Sequence, residues 1–512
     1  MLKYTGHPLI DVGVATILAF SKKKSLAQLT EKDFDKVADY IEEWYIVNPL
    51  KSFLNVAFPN SGFTQPAFEK EPKRRKEYAR RVARSYTKGT PTLDERCVFT
   101  GEPAVAVAFS DKEGFPEGRA FRQHIPMLTG EDVINFHPNG DAGLPVSGLA
   151  ILCIQALPLG CAKCGGKLLA VHSDNYDLMV KFTKQFLENN LIKADLARQS
   201  DSSKMPESLF PAKTLLVKTL LAVETERKDQ HEDHKPYSVT AYHFTNSGQS
   251  NPLDRNSPLE IYHLPLEIIV FLQAINGVAY NQEWKAIERE AWQLTKTQID
   301  SQKQIKPKKG KAKSKGEKST EDTKPRRNFL YEDLFRLPGN ARQFIRRYFL
   351  RIPSRNAYED DPRRNYSVRN EASLVKWKIT TLFLERIMRM NETRIQRIRE
   401  MGEQLASYIN EENDQKFFTS FYAASDYWSL RNALIRVNHA RLKKNQSPIM
   451  RFDPYVEVFE DVDERGRTDW KLARDLILIR MIERLYELKW IEQHRDAIPD
   501  VSDDKTAEEK GE

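Results

Sequence analysis

The hydrophobic positions of the chain recur first at helical spacing. Leu9, Val12, Ile17 and Phe20 put one face of the segment from Pro8 to Phe20 in a core. Thr30 followed by Asp33 has the form of a capping box, and Phe34, Val37, Ala38 and Ile41 make the apolar stripe of a second helix behind it. Residues 50–68 (LKSFLNVAFPNSGFTQPAF) change character. A strand-like run is interrupted there by Pro59 and the turn formers Asn60, Ser61 and Gly62, which predicts a polar loop. Helical spacing returns from Lys73 to Tyr86, with Tyr78, Val82 and Tyr86 on one face and Lys73, Lys76, Arg80 and Arg84 on another. Between Cys97 and Val171 short apolar runs (104–109, 149–157 and 167–171) alternate with Gly and Pro, the mark of a mixed α+β region. Helices resume near Tyr176, and residues 259–279 are strongly apolar. From Glu371 onward the pattern is almost purely helical (374–388, 395–409, 417–437, 470–490), with the short connections of an antiparallel bundle.

These elements predict an α+β fold: a mixed N-terminal domain with a degenerate zinc-knuckle region, followed by a C-terminal α-helical bundle. At 512 residues the chain is long enough for two or three cores. The expected order is an N-terminal domain over 1–302, a basic flexible linker over 303–327, an Arg/Tyr-rich connection over 328–370, the bundle over 371–495 and an acidic disordered tail over 496–512.

Charge changes the picture only where it is concentrated. The formal net charge is +8, but residues 303–327 hold eleven Lys/Arg against three acids, while 496–512 hold seven acids against two lysines. The rest is nearly balanced, so nucleic acid would have to be met by local patches. Four cysteines (Cys97, Cys153, Cys161, Cys164) do not make a disulfide framework and suit a reducing cytosol. The apolar run from Val12 to Phe20 is preceded only by Lys3 and Asp11 and followed by Lys22, Lys23 and Lys24, which excludes a signal peptide. With no run of membrane-spanning length, a cytoplasmic protein is expected.

Candidate chemistry follows from spacing. Cys161-Ala-Lys-Cys164-Gly-Gly has the outline of a zinc knuckle, and Cys97-Val-Phe-Thr100-Gly and Ser147-Gly-Leu-Ala150 keep that outline with thiolates missing. Cys97, Cys161 and Cys164 with His124, His137 or His172 are the zinc ligands this would allow; an eroded site held by packing is the favoured reading, with no cofactor. His231-Glu-Asp-His234, near His243, is spaced three apart beside Pro236 and not at the i, i+4 spacing of a helical zinc site, so a solvated loop is expected. Phosphate loops, nucleophile elbows and grouped nuclease carboxylates are missing from the sequence, and the expectation is not an enzyme. Two basic patches carry aromatics: Lys70 to Lys88 has nine Lys/Arg against two acids, and Arg342 to Arg369 has eight Arg against three acids among Phe344, Tyr348, Phe349, Tyr358 and Tyr366. Such residues grip phosphates and stack on unpaired bases, or else form the salt-bridged face of a subunit contact.

The segments TGHPLIDVGVATILAF, AFPNSGFTQPAF and NFHPNGDAGLPVSGLAILCIQALPLGCAKCGGKLLAVHSD resemble the large subunit of type I-B CRISPR surveillance complexes, the branch named for two Cys-x-x-Cys pairs. The likeness covers about the first 175 residues. It departs from that branch at Thr100, Ser147 and Ala150, where thiolates are expected. The resemblance implies a non-catalytic subunit that tests the PAM, a short duplex motif beside the target, and promotes the R-loop, while guide RNA reads the sequence. Implied partners are guide RNA, target double-stranded DNA, the backbone and guide-processing subunits, a helical small subunit, and a helicase-nuclease or transposition proteins, with no membrane. On this reading Asn60, Ser61, Thr64 and Gln65 would read the PAM. Lys22, Lys23, Lys24, Lys73, Arg74, Arg75, Arg80, Arg81 and Arg84 would hold flanking phosphates, and Arg346, Arg347, Arg351, Arg363 and Arg364 the displaced strand. Proteins of this class also make their C-terminal helices separately from an internal start, for which Met388, Met390 and Met401 are candidates. The alternatives from other classes are a metal-dependent nuclease using His231 and His234, or a zinc-ribbon-type nucleic-acid-binding regulator.

Overall fold

The computed structural model describes residues 2–109, 116–127, 143–229, 237–246, 257–296, 298–299, 326–460 and 469–502. They fall into two compact units, Met1–Leu266 and Glu267–Glu512. The chain is mixed α+β with a helical C-terminal region.

The first unit is built on α1 (Pro8–Phe20), whose Ile10, Val12, Val14, Ala15, Ile17 and Leu18 are almost wholly buried. Pro8 opens this helix at a position where its missing N–H is not needed. The charge that interrupts the apolar run, Asp11, is itself fully buried. It accepts hydrogen bonds from the Thr5 and Gly6 backbone N–H groups (2.7 and 2.9 Å), the Thr5 hydroxyl (3.1 Å) and His172 Nε2 (3.3 Å). Burial pushes its pKa up, but these bonds outweigh burial and hold the carboxyl below its ordinary value. Asp11 thus ties the opening TGH turn to the sheet strand that carries His172.

Against α1 pack α2 (Glu31–Trp44), which leads into the short α3 (Leu50–Leu54), and α5 (Gly148–Ala156) and α6 (Tyr176–Gln199); α4 (Pro72–Arg84) packs on α2 and α5, and α7 (Ala212–Asp229) on α6. The capping box forms as expected, with the Asp33 carboxylate accepting from the Thr30 N–H (3.0 Å) and hydroxyl (2.8 Å). Two small antiparallel pairs join β1 (Thr92–Arg96) to β2 (Pro103–Val105) and β3 (Arg119–Ala120) to β4 (Leu144–Pro145). A four-stranded antiparallel meander follows: β5 (Ala162–Cys164), β6 (Lys167–Ser173), β7 (Val239–Phe244) and β8 (Leu259–Leu264).

The second unit starts with α8 (Leu266–Ile275) and α9 (Asn281–Arg289). The expected boundary at 302 therefore falls too late. Phe271 of α8 meets Phe383, from beyond the basic stretch, edge-on, and meets Trp284 of α9 in the same way. Residues 303–325 of the expected linker lie outside the described residues. Next come the short α10 (Phe329–Leu334), α11 (Ala341–Phe344) and α12 (Val368–Glu371), then α13 (Trp377–Arg386), α14 (Glu392–Glu412), α15 (Gln415–Tyr422), α16 (Tyr427–Lys443), α17 (Phe452–Phe459), α18 (Trp470–Glu487) and α19 (Trp490–Gln493). The predicted helix over 417–437 is two helices, because Asp426 caps a new start by accepting from the Ser429 N–H. The expected disordered tail does not begin at 496: Ile498 is buried, its carbonyl accepts from Arg369 Nε (2.7 Å), and Asp500 pairs with Arg355. Among the described residues no helix is long and apolar enough to cross a membrane.

One buried base sets an acid limit on the first unit. His124 is 1% exposed; its Nδ1 accepts from the Phe121 N–H (3.1 Å), which leaves the proton on Nε2 to donate to the Phe109 carbonyl (3.2 Å). Burial lowers its pKa to about 4. An unfolded His takes up its proton near pH 6.5, so stability is intact above that value and is lost as pH falls toward 4, by about 3 kcal/mol in all. Urea titrations between pH 7 and 4 should show this loss, and His124→Gln should flatten it.

Candidate nucleic-acid interface

Pro72 starts α4, and Tyr78, Ala79, Val82 and Ala83 turn inward. This orientation sends Lys73, Lys76 and Arg80, at i, i+3 and i+7, to the outer face. These three, with Lys70 just before the helix, are exposed and form no ion pair among the described residues. The remaining cations of the patch are occupied. Arg74 lies over the Phe68 ring (4.4 Å) and pairs with Glu71. Arg75 is buried, bonded to Glu69 (3.3 Å) and to the Gln65 carbonyl (3.1 Å). Arg81 donates to the Ala108 carbonyl (3.2 Å). Arg84 is clasped by three carboxylates of α2, Asp35, Asp39 and Glu42.

Beside this face lies an open cavity of about 440 Å³ lined by Glu77, Arg80, Arg81, Arg84, Ser85 and Thr90. Ser85 is 5% exposed, and its hydroxyl has no hydrogen-bond partner. A buried hydroxyl without a partner is costly. Arg80, exposed, lines the same cavity, as does Glu77.

The loop ahead of α4 departs from the expected surface turn. Residues 50–54 are helical, and the turn after Pro59 is packed. Ser61 is fully buried, with its hydroxyl 3.3 Å from the Thr64 hydroxyl, which donates to the Phe58 carbonyl (2.9 Å). Ser61 is therefore removed from the base-reading set, because a side chain sealed in the core reaches no base edge. Gly62 is fixed by the Tyr78 ring, which any Cβ there would strike at 2.2 Å. Asn60 is exposed in the left-handed region (φ 59°), and Thr64 and Gln65 are half-buried. The loop is pinned further by Asn246, a residue with no sequence motif. Asn246 donates from Nδ2 to the Ala57 carbonyl and from its N–H to the Val56 carbonyl.

Lys22, Lys23 and Lys24 follow the C-terminal end of α1, where cations complement the helix dipole. Lys22 sits in the left-handed region (φ 55°), and Lys22 and Lys24 are exposed.

The second patch is mostly interior. Arg351 is 0% exposed, donates twice to Glu371 (2.7 and 3.1 Å) and lies 3.4 Å from the Tyr366 ring. Arg346 is bonded to Asp475 (2.9 and 3.0 Å), Arg347 faces Asp333 (3.5 Å), and Arg363 spans Asp333 and Asp361 (both 2.7 Å). Phe344, Tyr348, Phe349 and Tyr366 are buried, which leaves Tyr358 as the exposed aromatic of this stretch. Of the five proposed strand contacts, Arg364 alone is exposed and has no side-chain partner among the described residues. Arg351 is therefore corrected from a strand contact to an internal ion pair, and Arg346, Arg347 and Arg363, part-buried, are held against Asp475, Asp333 and Asp361 of the fold itself.

The knuckle outlines separate into two places. Cys161-Ala-Lys-Cys164 belongs to the β5–β6 hairpin, whose two-residue turn is Gly165-Gly166, both with positive φ (57° and 77°). The Cys161 thiol donates to the Leu157 carbonyl (3.2 Å), and Cys164 Sγ lies 3.6 Å from His243 Nε2, with burial raising the Cys164 pKa to about 12. The other two outlines do meet. Thr100 and Ser147 share a hydroxyl hydrogen bond (3.1 Å), Ser147 accepts from the Ala150 N–H at the start of α5, and Cys97 is buried. Among the described residues no three His, Cys, Asp or Glu side chains are grouped to hold a metal. His124 is committed to backbone partners and His172 to Asp11, while His137, His231 and His234 lie outside the described residues.

Comparison with family models, with curated proteins and with solved structures gives no match.

The two patches respond differently to truncation. Arg351→Ala leaves Glu371 without its buried partner and should cost about 3 to 5 kcal/mol in chemical denaturation. Lys73→Ala and Arg80→Ala should change stability by less than about 0.5 kcal/mol.

Proposed function

We propose that the chain is the large, non-catalytic DNA-recognition subunit of a type I-B CRISPR surveillance complex. In this role it engages the duplex flanking the target and helps to open it, while guide RNA supplies sequence specificity. The observation that carries the reading is the unpaired stripe Lys73, Lys76 and Arg80 with Lys70, next to the cavity holding the unpartnered Ser85 hydroxyl. It stands in the same unit as the opening turn, the 57–68 loop and the β5–β6 hairpin, the segments on which the family resemblance rests.

The physics of the role is modest in energy. Exchange of a DNA duplex for an RNA–DNA hybrid is close to balanced, so a few phosphate contacts on the flank are enough to bias it. Asn60 and Gln65, at the head of the loop that leads into α4, are the base-edge candidates, and the α4 stripe holds the backbone beside them. No bond is broken by this subunit. Strand cleavage, or transposition in its place, falls to a separately recruited protein.

Measured on the assembled complex, Lys70→Ala, Lys73→Ala, Lys76→Ala and Arg80→Ala together should reduce the slope of log affinity against log salt by roughly 3 to 4 units. An unchanged slope removes α4 from the interface.

The internal start fits the bundle's own joints. Met388 and Met390 lie in the connection between α13 and α14, whereas Met401 is buried within α14. A product from Met388 keeps α14 to α19 and, with them, the Arg474–Asp475 ion pair, while Arg346 is left behind. Intact-mass spectrometry of protein made from the unmodified gene should find a fragment of roughly 14 to 15 kDa; its absence ends this part of the proposal.

A further inference from the structure

On α16 the chain carries an apolar stripe on the wrong side for its own core. Leu430, Ala433, Leu434 and Val437 are buried in the bundle. Trp428, Ile435 and Leu442, on the opposite side, are 72%, 52% and 56% exposed. They stand seven residues apart, so they form one line about 21 Å long at 1.5 Å per residue. Scattered exposed apolar residues need no explanation, but three in a heptad register along one helix describe a surface.

The charges around that line have one sign. Between Tyr427 and Pro448 the sequence has five Lys/Arg and no acid. Two of these are held down, Lys444 by Glu412 and Arg441 by the Ser447 carbonyl. Arg431, Arg436 and Lys443 are exposed, flank the stripe and form no ion pair among the described residues.

We propose that this face of α16 docks an acidic amphipathic helix of a partner protein. The heptad spacing is the one a second helix meets when its side chains interlock with the first, and flanking cations select a helix with acids at the matching edges. Nucleic acid would use the charges and Trp428 but gains nothing from Ile435 and Leu442, which offer no stacking face. A second copy of the chain would set α16 against α16 and bring like charges together. A membrane surface calls for a broad apolar face, and here the stripe is a single row. The docking surface stands independently of DNA binding by the first unit.

The test places the photoreactive residue p-benzoylphenylalanine at position 435 of the full chain, expressed in its native host and irradiated. Cross-linked peptides should map to one protein, in a segment with apolar residues at helical spacing and an excess of Asp and Glu. Arg431→Glu, Arg436→Glu and Lys443→Glu together should abolish the cross-link while circular dichroism stays unchanged. A synthetic peptide of the captured segment should bind the parent chain at least tenfold more tightly than the charge-reversed one, and Lys in place of its acids should reverse that preference. Cross-links only to nucleic acid, lipid or a second copy overturn the proposal, as does no cross-link at all or capture that ignores the charge reversal.

Discussion

A charge withdrawn from water must be met by an opposite charge or by a full set of hydrogen bonds, and this constraint decides what every cation in the chain is able to do. Asp475, fully buried in α18, is the clearest instance. Burial raises its pKa, and Arg346, Arg474 and Arg342 more than offset that effect, so the carboxylate stays ionised inside the second unit. Arg351 with Glu371, and Arg363 with Asp333 and Asp361, follow the same rule from the cationic side. The Arg-rich stretch is thereby converted from a surface into a scaffold that fixes the short helices around α18.

The same rule picks out what is left for a ligand. On α4 the cations nearest the core are spent on Glu69, Glu71 and the α2 carboxylates, and those on the outer row are not. On α16 the helix end is tied down by Glu412 and the Ser447 carbonyl, and the middle is not. Both units thus present a short row of unneutralised charge on a helix whose other face is anchored in a core. Such rows are rigid, so a partner orders little on binding, and electrostatic attraction contributes to both rate and selection.

Hydrogen bonds join two segments that are distant in the sequence. The segments at 97–100 and 147–150 come together, with a hydrogen bond between the Thr100 and Ser147 hydroxyls and with Ser147 capping α5. Backbone bonds from Val98 to Pro145 and from Val105 to Val146 close the same gap.

The sequence by itself determined the local structure: the limits of α1 from Pro8 to Phe20, the Thr30–Asp33 capping box, the start of α6 at Tyr176, and the helical character after Glu371. These depend on propensity, capping and periodicity, which act over a few neighbours. It also marked α4 as basic on one face. The tertiary structure alone decided which arginines remain free, since the acids that neutralise Arg84 and Arg346 lie 42 to 49 and 129 positions away. It moved the unit boundary from 302 to Leu266, because Phe271 finds its aromatic partner at Phe383. It buried Ser61, assigned the two glycines after Cys164 to a hairpin turn, and exposed the apolar row of α16. The physical reason is common to all of these: burial and charge pairing are properties of what meets in space, and a one-dimensional pattern records only what each residue brings to that meeting.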